Sequence, residues 1–348
     1  MFNKLINWSK KEHSVLPWRK NRSLYTTLVS EFMLQQTNVS TVINHYDNFI
    51  KSFPNISSLA SSSQEYVLKN WQGLGYYKRA KNLHKAAIDI VNNYNKQIPQ
   101  NYKDLTSIKG IGEYTANAIL AIGYNKPALA LDANIERVLS RIYLLSDNKG
   151  KPLKKKIYTL FSNKKILQNI EKLGSRALNE SLMDLGRVFC HARKTNCGPC
   201  PVKTKCMAYI KNTPLKFPII NHPTKKEIVE LELLRIFVAK NDKILAYRKK
   251  ENEWLAGQLE IPTFIVKTPD ISLKQYPWLN KKINLQRLKF FKTTITKYKI
   301  KNYILTTNNN QFNSLIPISN RYKYFSFDLQ KEHYSTATTK AINLILKK

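Results

Sequence analysis

All four cysteines of this 348-residue chain fall within 17 residues, Cys190, Cys197, Cys200 and Cys206, spaced C-x6-C-x2-C-x5-C in a strongly basic stretch. A disulfide framework belongs to short secreted chains that cannot bury a sufficient core, and this chain is long enough for two cores. With no apolar signal segment over Met1–Lys11, the expectation is a cytosolic setting in which the thiols stay reduced. Four thiolates suit a structural zinc ion, usually held by paired C-x2-4-C knuckles, or an iron-sulfur cluster. Only Cys197 and Cys200 form a knuckle, which favours the cluster over zinc; buried thiols without a ligand are the third alternative. His191, Arg193, Lys194, Lys203 and Lys205 surround the quartet, so whatever makes this loop rigid also holds a basic surface suited to phosphates.

The formal charge of +35 points to a polyanion, because each Lys or Arg placed at a phosphate releases condensed counterions. The excess is shared, +21 over residues 1–220 and +14 over residues 221–348, so both halves can face the same partner. Of the 58 basic residues only 12 are Arg, and the chain is crowded with Lys, Asn and Ile, as an AT-rich coding sequence would produce. Part of the charge therefore carries no information about binding. No apolar run approaches the length of a membrane span.

The composition changes near residue 220. Up to about Tyr209 the chain reads as helices with short connections, and Pro214, Pro218 and Pro223 then interrupt any helix across an expected linker, 211–228. Beyond it, Val229–Ala239 and Lys243–Tyr247 are rich in β-branched and aromatic residues and are separated by Lys240-Asn241-Asp242, a hairpin signal; Ile300–Thr306 reads as another strand. Ser335–Leu346 carries Ala341, Ile342, Ile345 and Leu346 at helical spacing. The expected architecture is an all-α domain, 1–210, followed by a smaller α+β domain, 229–348.

Within the helical part, Leu105-Thr-Ser-Ile-Lys-Gly110-Ile-Gly112-Glu-Tyr-Thr-Ala116 places two glycines two apart, ahead of a helical run expected over Thr115–Ile122. Such a hairpin turns backbone N–H groups outward at a helix N-terminus, where phosphate binds. A lone G-x-G is more often a plain turn. Here the flanking residues resemble the helix-hairpin-helix motif of DNA repair proteins, with Lys109 where that motif usually has Pro, which adds a phosphate contact beside Gly110 and Gly112. About twenty positions on, Asp132 precedes an apolar-periodic stretch, Ala133–Leu139, and read alone it is a helix N-cap.

Hairpin, aspartate and cysteine quartet in this order resemble the endonuclease III superfamily of DNA glycosylases. Pro17-Trp-Arg19, Ser30-Glu-Phe-Met-Leu-Gln-Gln-Thr37 and Gly73-Leu-Gly-Tyr-Tyr77 narrow the resemblance to the adenine DNA glycosylase (MutY) family, from about Leu16 to Cys206. The resemblance implies a helix-hairpin-helix glycosylase domain with an iron-sulfur loop (190–206) whose four cysteines hold a 4Fe-4S cluster. It implies excision of adenine mispaired with 8-oxoguanine or guanine in double-stranded DNA, by a monomer of the cytoplasm, associated with the nucleoid in a bacterium. Glu31, at the edge of an apolar helix face where desolvation raises its pKa, is the general acid it points to. Asp132 is the carboxylate opposite the sugar cation, with Asn134 orienting that end and Tyr114 hydrogen-bonding near the sugar and Asp132. Gln36 and Tyr76 are the residues implied to wedge the base stack, with Glu180 at the adenine edge and Arg19 beside it. Bifunctional relatives place a nucleophilic Lys where this chain has Tyr114, so a monofunctional enzyme is expected.

The second half is similar to the family's Nudix-like domain, which recognises 8-oxoguanine; Trp254-Leu-Ala-Gly257-Gln-Leu-Glu-Ile-Pro262 resembles its W-x-x-G-x-x-E-F-P segment. No G-x5-E-x7-R-E-x2-E-E helix follows, so Nudix hydrolysis is not expected. Where the family offers Phe-Ser-His toward the lesion, this chain has Ile295-Thr296-Lys297, which leaves Thr296 as a hydrogen-bond donor, and the N-terminal arginine often found near the adenine pocket is replaced by Ser14. Two alternatives are an endonuclease III-like glycosylase/lyase acting on oxidised pyrimidines, which Glu31 and Tyr114 speak against, and a zinc-held noncatalytic DNA-binding protein, which the Glu31/Asp132 pair speaks against.

Overall fold

In a computed structural model, which describes residues 1–220, 228–316, 320–329 and 332–346, several helices of the first half begin where the sequence supplies a capping side chain. Ser23 and Thr26 form a reciprocal capping box ahead of the helix Leu24–Leu34, Asn55 and Ser58 do the same for Ile56–Ser61, and Asp132 accepts the backbone N–H of Ile135 at the start of Ala133–Tyr143. The chain divides into two units, Met1–His222 and Pro223–Lys348.

The first unit has two apolar clusters. One gathers Leu28, Phe32, Phe49, Trp71 and Leu83 from successive helices between residues 24 and 93. The other gathers Leu5, Ile135, Leu139, Leu182 and Leu185, so the N-terminal helix Phe2–His13 packs against Ser175–Val188 near the far end of the unit. Leu24–Leu34 is buried on almost every face, Glu31 included, unlike the one-sided helix expected there. Deep burial of this helix is what desolvates its carboxylate.

The hairpin joins Tyr102–Ser107 to Glu113–Ala118. Gly110 has φ +99°, and a Cβ there would come within 2.4 Å of the Asn82 carbonyl oxygen, so only glycine lets the turn lie against the helix Lys78–Asn93. The helical run expected over Thr115–Ile122 forms, changing pitch on the way: Glu113–Ala118 is α-helical and continues directly into a π-helix, Ile119–Gly123, where Arg176 donates to the carbonyls of Ile122 (2.5 Å) and Gly123 (2.8 Å). Local spacing does not reveal this change of pitch.

Of the expected linker, residues 211–220 run along the helical unit: Arg141 Nε donates to the Phe217 carbonyl (2.8 Å) and Ile219 bridges to Asn148. Residues 221–227, Pro223 among them, lie outside the described residues.

In the second unit, β1 (Val229–Lys240) and β2 (Lys243–Arg248) form the hairpin, with Lys240 opposite Lys243. β3 (Leu259–Glu260) pairs with β2, and β4 (Thr263–Lys267) with β1. β5 (Lys289–Ile295) and β6 (Tyr298–Thr307) are antiparallel, with Thr296 and Lys297 as their two-residue turn, and β6 runs parallel to β1 over ten residue pairs. β7 (Lys323–Ser326) pairs with β2, and the C-terminal helix Thr336–Leu346 buries Ala341 and Ile342 among Phe237, Ile244 and Ile304. Among the described residues no helix is long and apolar enough to cross a membrane.

Candidate active site

A cavity of about 380 Å³ opens in the helical unit, lined by residues of both apolar halves: Glu31, Tyr114, Asp132, Asn134, Glu180 and Arg19 all reach it. That volume lies within the range of pockets that hold small ligands. Residues spread over 160 positions of sequence thus meet in one place.

Glu31 is 4% exposed, and its Oε2 accepts the Tyr114 hydroxyl at 2.6 Å. Burial raises its pKa to about 7, opposed by the Tyr114 hydrogen bond and assisted by the charges of Asp132 and Glu180. Tyr114 itself is pushed well above the usual phenol range by burial and by the neighbouring carboxylates, so it stays a donor. The phenol donates to Glu31 and lies close enough to Asp132 to feel its charge, while each Asp132 oxygen accepts another donor.

Asp132 Oδ1 accepts the Ile135 N–H (2.7 Å) and Oδ2 accepts Asn134 Nδ2 (2.9 Å). Burial raises its pKa, while these donors favour the ionised form. Asn134 Oδ1 in turn accepts from Arg137 Nη2 (2.7 Å), whose Nε donates to the Cys190 carbonyl (2.7 Å). A Cβ on Gly186 would come within 2.7 Å of the Asn134 Cβ, so the glycine keeps Asn134 in place. Arg137 has no motif signal; only its spacing from Asn134, three residues along one helix face, could have suggested it.

The opposite wall is a charge network. Glu180 Oε1 pairs with Arg22 (2.6 Å) and lies 3.5 Å from Arg19 Nε. Arg19 Nη1 donates to Asp184 (2.8 Å), which also accepts from Ser9 (2.6 Å) and Arg187 (3.2 Å). Arg22 and Asp184 were not legible in the sequence, since the partners that draw them to this wall, Glu180 for Arg22 and Ser9 and Arg19 for Asp184, lie more than 150 residues away.

A broad groove adjoins the cavity, lined by Gln36, Gly110, Gly112, Tyr114, Asp132 and Lys154, and the exposed Lys109 sits on the hairpin with its backbone N–H bonded to Asp89 (2.9 Å). Tyr76 lines neither space; it is 63% exposed on its own turn. Thr296 is exposed at the β5–β6 turn of the second unit, next to Lys297, which pairs with Asp270 (3.0 Å).

Cys190, Cys197, Cys200 and Cys206 all line one small apolar pocket with Val138, Leu185 and Val202. Arg141 Nη1 donates to Cys190 Sγ (3.1 Å), and burial beside the other sulfurs pushes the Cys200 thiol up to about 11. Among the described residues no group of three or more His, Cys, Asp or Glu side chains forms a ready single-ion site. Four sulfurs on one apolar pocket with an arginine at one of them are a donor set of the kind that iron-sulfur clusters use.

The family described as HhH-GPD superfamily base excision DNA repair proteins matches residues 29–164. The chain is 33% identical over 291 residues to the adenine DNA glycosylase of Buchnera aphidicola subsp. Schizaphis graminum, covering 82% of this chain and 80% of that protein. It is 34% identical to that of Buchnera aphidicola subsp. Baizongia pistaciae, covering 72% and 70%. With human adenine DNA glycosylase it shares 33% identity over 59% of this chain and 38% of that protein. Among solved structures, a thermostable thymine-DNA glycosylase aligns with a TM-score of 0.50 and 26% identity over 60% of this chain and 95% of its own. A non-covalent endonuclease III–DNA complex aligns with a TM-score of 0.50 over 61% and 94%, a likeness of fold at 20% identity.

Proposed function

Since the chain belongs to the adenine DNA glycosylase family of helix-hairpin-helix base excision repair enzymes, we propose that it is a monofunctional glycosylase that hydrolyses adenine paired with 8-oxoguanine or guanine in duplex DNA. The observation that carries this reading is the pair of carboxyl groups in one cavity, one protonated near neutrality and the other held by donors that favour its charge.

Adenine cannot be reached inside the stack, so it is flipped out while Gln36 and Tyr76 enter the duplex. Glu31 Oε2 accepts the Tyr114 hydroxyl, which leaves the other oxygen to carry the proton delivered to adenine N7. The bond between N9 and the sugar then breaks with its electron pair going to the base, and the sugar becomes an oxocarbenium-like cation. Asp132 lies opposite as the stabilising negative charge, oriented by Asn134. Water adds to the anomeric carbon and loses a proton, leaving an abasic site. Glu180 and Arg19 form the wall against the base edge, and Lys109, Gly110 and Gly112 hold the backbone phosphates.

Cys190, Cys197, Cys200 and Cys206 would hold a 4Fe-4S cluster that supplies rigidity to the basic loop. The second unit is read as Nudix-like and as the source of lesion selectivity through Thr296. Glu260 of its Trp254–Pro262 segment is buried between Arg235 and Lys249, both at 2.6 Å, and is followed by β4, so it serves the fold and not hydrolysis.

Glu31→Gln tests the assignment, because it preserves shape and removes the transferable proton. Single-turnover excision is expected to fall by about 100-fold or more while duplex affinity stays near normal. Near-normal excision would mean the acid lies elsewhere.

A further inference from the structure

Two loops of the helical unit hold backbone conformations that side chains rarely adopt: φ is 57° at Gln36 and 47° at Tyr76. Residues in such regions persist only where their surroundings over-determine them. One side chain does so for both loops. Arg79, 7% exposed, donates from Nη1 to the carbonyls of Phe32 (3.0 Å), Met33 (2.7 Å) and Gln35, at the end of the helix that precedes Gln36. From Nη2 it donates to Thr37 Oγ1 (2.8 Å), just after Gln36, and to the carbonyls of Leu74 (3.0 Å) and Gly75 (3.1 Å), just before Tyr76. Its guanidinium carbon is 5.5 Å from the ring centres of both Trp71 and Tyr76.

Five carbonyls and one hydroxyl therefore converge on one planar cation: Nη1 takes the three carbonyls before Gln36, and Nη2 takes Thr37 just after Gln36 and the two carbonyls before Tyr76. Helix-end carbonyls lack intrahelical partners and favour a cation, which accounts for the first three contacts. Leu74 and Gly75 lie only five and four residues before Arg79, so the Tyr76 loop is held from its own end of the chain, and what joins the two loops is the reach of this side chain to Phe32, Met33, Gln35 and Thr37, more than forty residues earlier. A lysine ammonium presents a point charge and cannot span both sets.

We propose that Arg79 is a positioning residue that fixes the Gln36 and Tyr76 tips relative to each other, so that they enter the duplex as a single wedge. The proposal rests on the reading that these tips invade the stack.

The test uses full-length Arg79→Lys and Arg79→Met proteins on two duplexes, one with adenine opposite 8-oxoguanine and one with adenine opposite an abasic position, where unstacking is easier. On the first, single-turnover excision at saturating protein is expected to fall by about 100-fold in Arg79→Met and less in Arg79→Lys. On the second the loss should shrink to a few-fold, because easier unstacking substitutes for the wedge. With 2-aminopurine in place of adenine, the fluorescence rise on flipping should fall in parallel. Equal losses on both duplexes would overturn the proposal, since a merely structural arginine would act that way; should Arg79→Met not fold, Arg79→Lys decides by the same comparison. Gln36→Ala and Tyr76→Ala serve as the reference: if neither lowers flipping, the wedge reading fails and the proposal with it, whereas if both do and the Arg79 variants show equal losses, the proposal alone fails.

Discussion

On the proposed reading, Glu31 ties catalysis and stability to the same proton. Its ordinary pKa of 4.5 applies in the unfolded chain and a value of about 7 in the folded one, so the native state holds the proton more tightly. The stabilisation from that proton is complete below about pH 4.5 and is lost as pH rises through about 7, a change on the order of 3 kcal/mol. Thermal unfolding should therefore show Glu31→Gln close to the parent at pH 4 and clearly more stable than it at pH 8; a stability difference independent of pH would contradict the burial argument. Excision should fall above about pH 7 as the acid ionises. Asp132→Asn should also cripple excision, by about 100-fold or more, because the charge opposite the sugar cation is gone; full activity in that variant would reassign the role. Glu31 and Asp132 were legible because motif and order marked them. The Tyr114 hydroxyl was expected near the sugar and Asp132; it lies within reach of the Asp132 charge and donates to Glu31, a partner 83 residues away that no local pattern reveals.

At the scale of elements, the hairpin decides between hydrolysis and strand cleavage. Tyr114 offers no amine to attack the sugar aldehyde, so sodium borohydride should trap little complex and the abasic strand should stay intact until alkali is added. Tyr114→Lys places an amine in a cavity shared with Asp132 and is expected to gain trapping and nicking; a variant that excises without any trapping would show that the hairpin geometry does not bring that side chain to the sugar. Any residual trapping in the parent should disappear in Lys154→Ala, since Lys154 lines the adjoining groove. The cysteine loop makes a second element-level prediction: Cys200→Ser should lose iron, acid-labile sulfide and DNA affinity together, whereas one equivalent of zinc without sulfide in the parent would remove the cluster from the account. The hairpin glycines and the β1–β2 turn were readable because each has a local cause. The π-helix at Ile119–Gly123 and the strands β3, β4 and β7 were not, since no local signal marks the change of pitch and these strands pair with β1 or β2 earlier in the chain; β5 pairs with its neighbour β6 but is largely exposed and lacks an apolar alternation.

At the scale of the molecule, the helical unit has its own cores and its own cavity, and the second unit has its own sheet. A chain shortened to residues 1–220 should still remove adenine, more slowly and with a weaker preference for 8-oxoguanine over guanine; unchanged preference would move lesion recognition out of the sheet unit. The division near residue 220 was visible as a change in composition, but the docking of residues 211–220 on the helical unit was not, because it depends on Arg141 and Asn148 meeting the Phe217–Ile219 backbone. The central claim is that this chain is a monofunctional adenine glycosylase with a lesion-reading second unit. It is tested most directly by single-turnover reactions of the full chain on duplexes with adenine opposite 8-oxoguanine, guanine, cytosine or thymine, each analysed with and without alkali. Release of adenine is expected to be fastest opposite 8-oxoguanine, slower opposite guanine and slight opposite the pyrimidines, with strand breaks only after alkali. Breaks without alkali, or no release of adenine from any of the four, would contradict it.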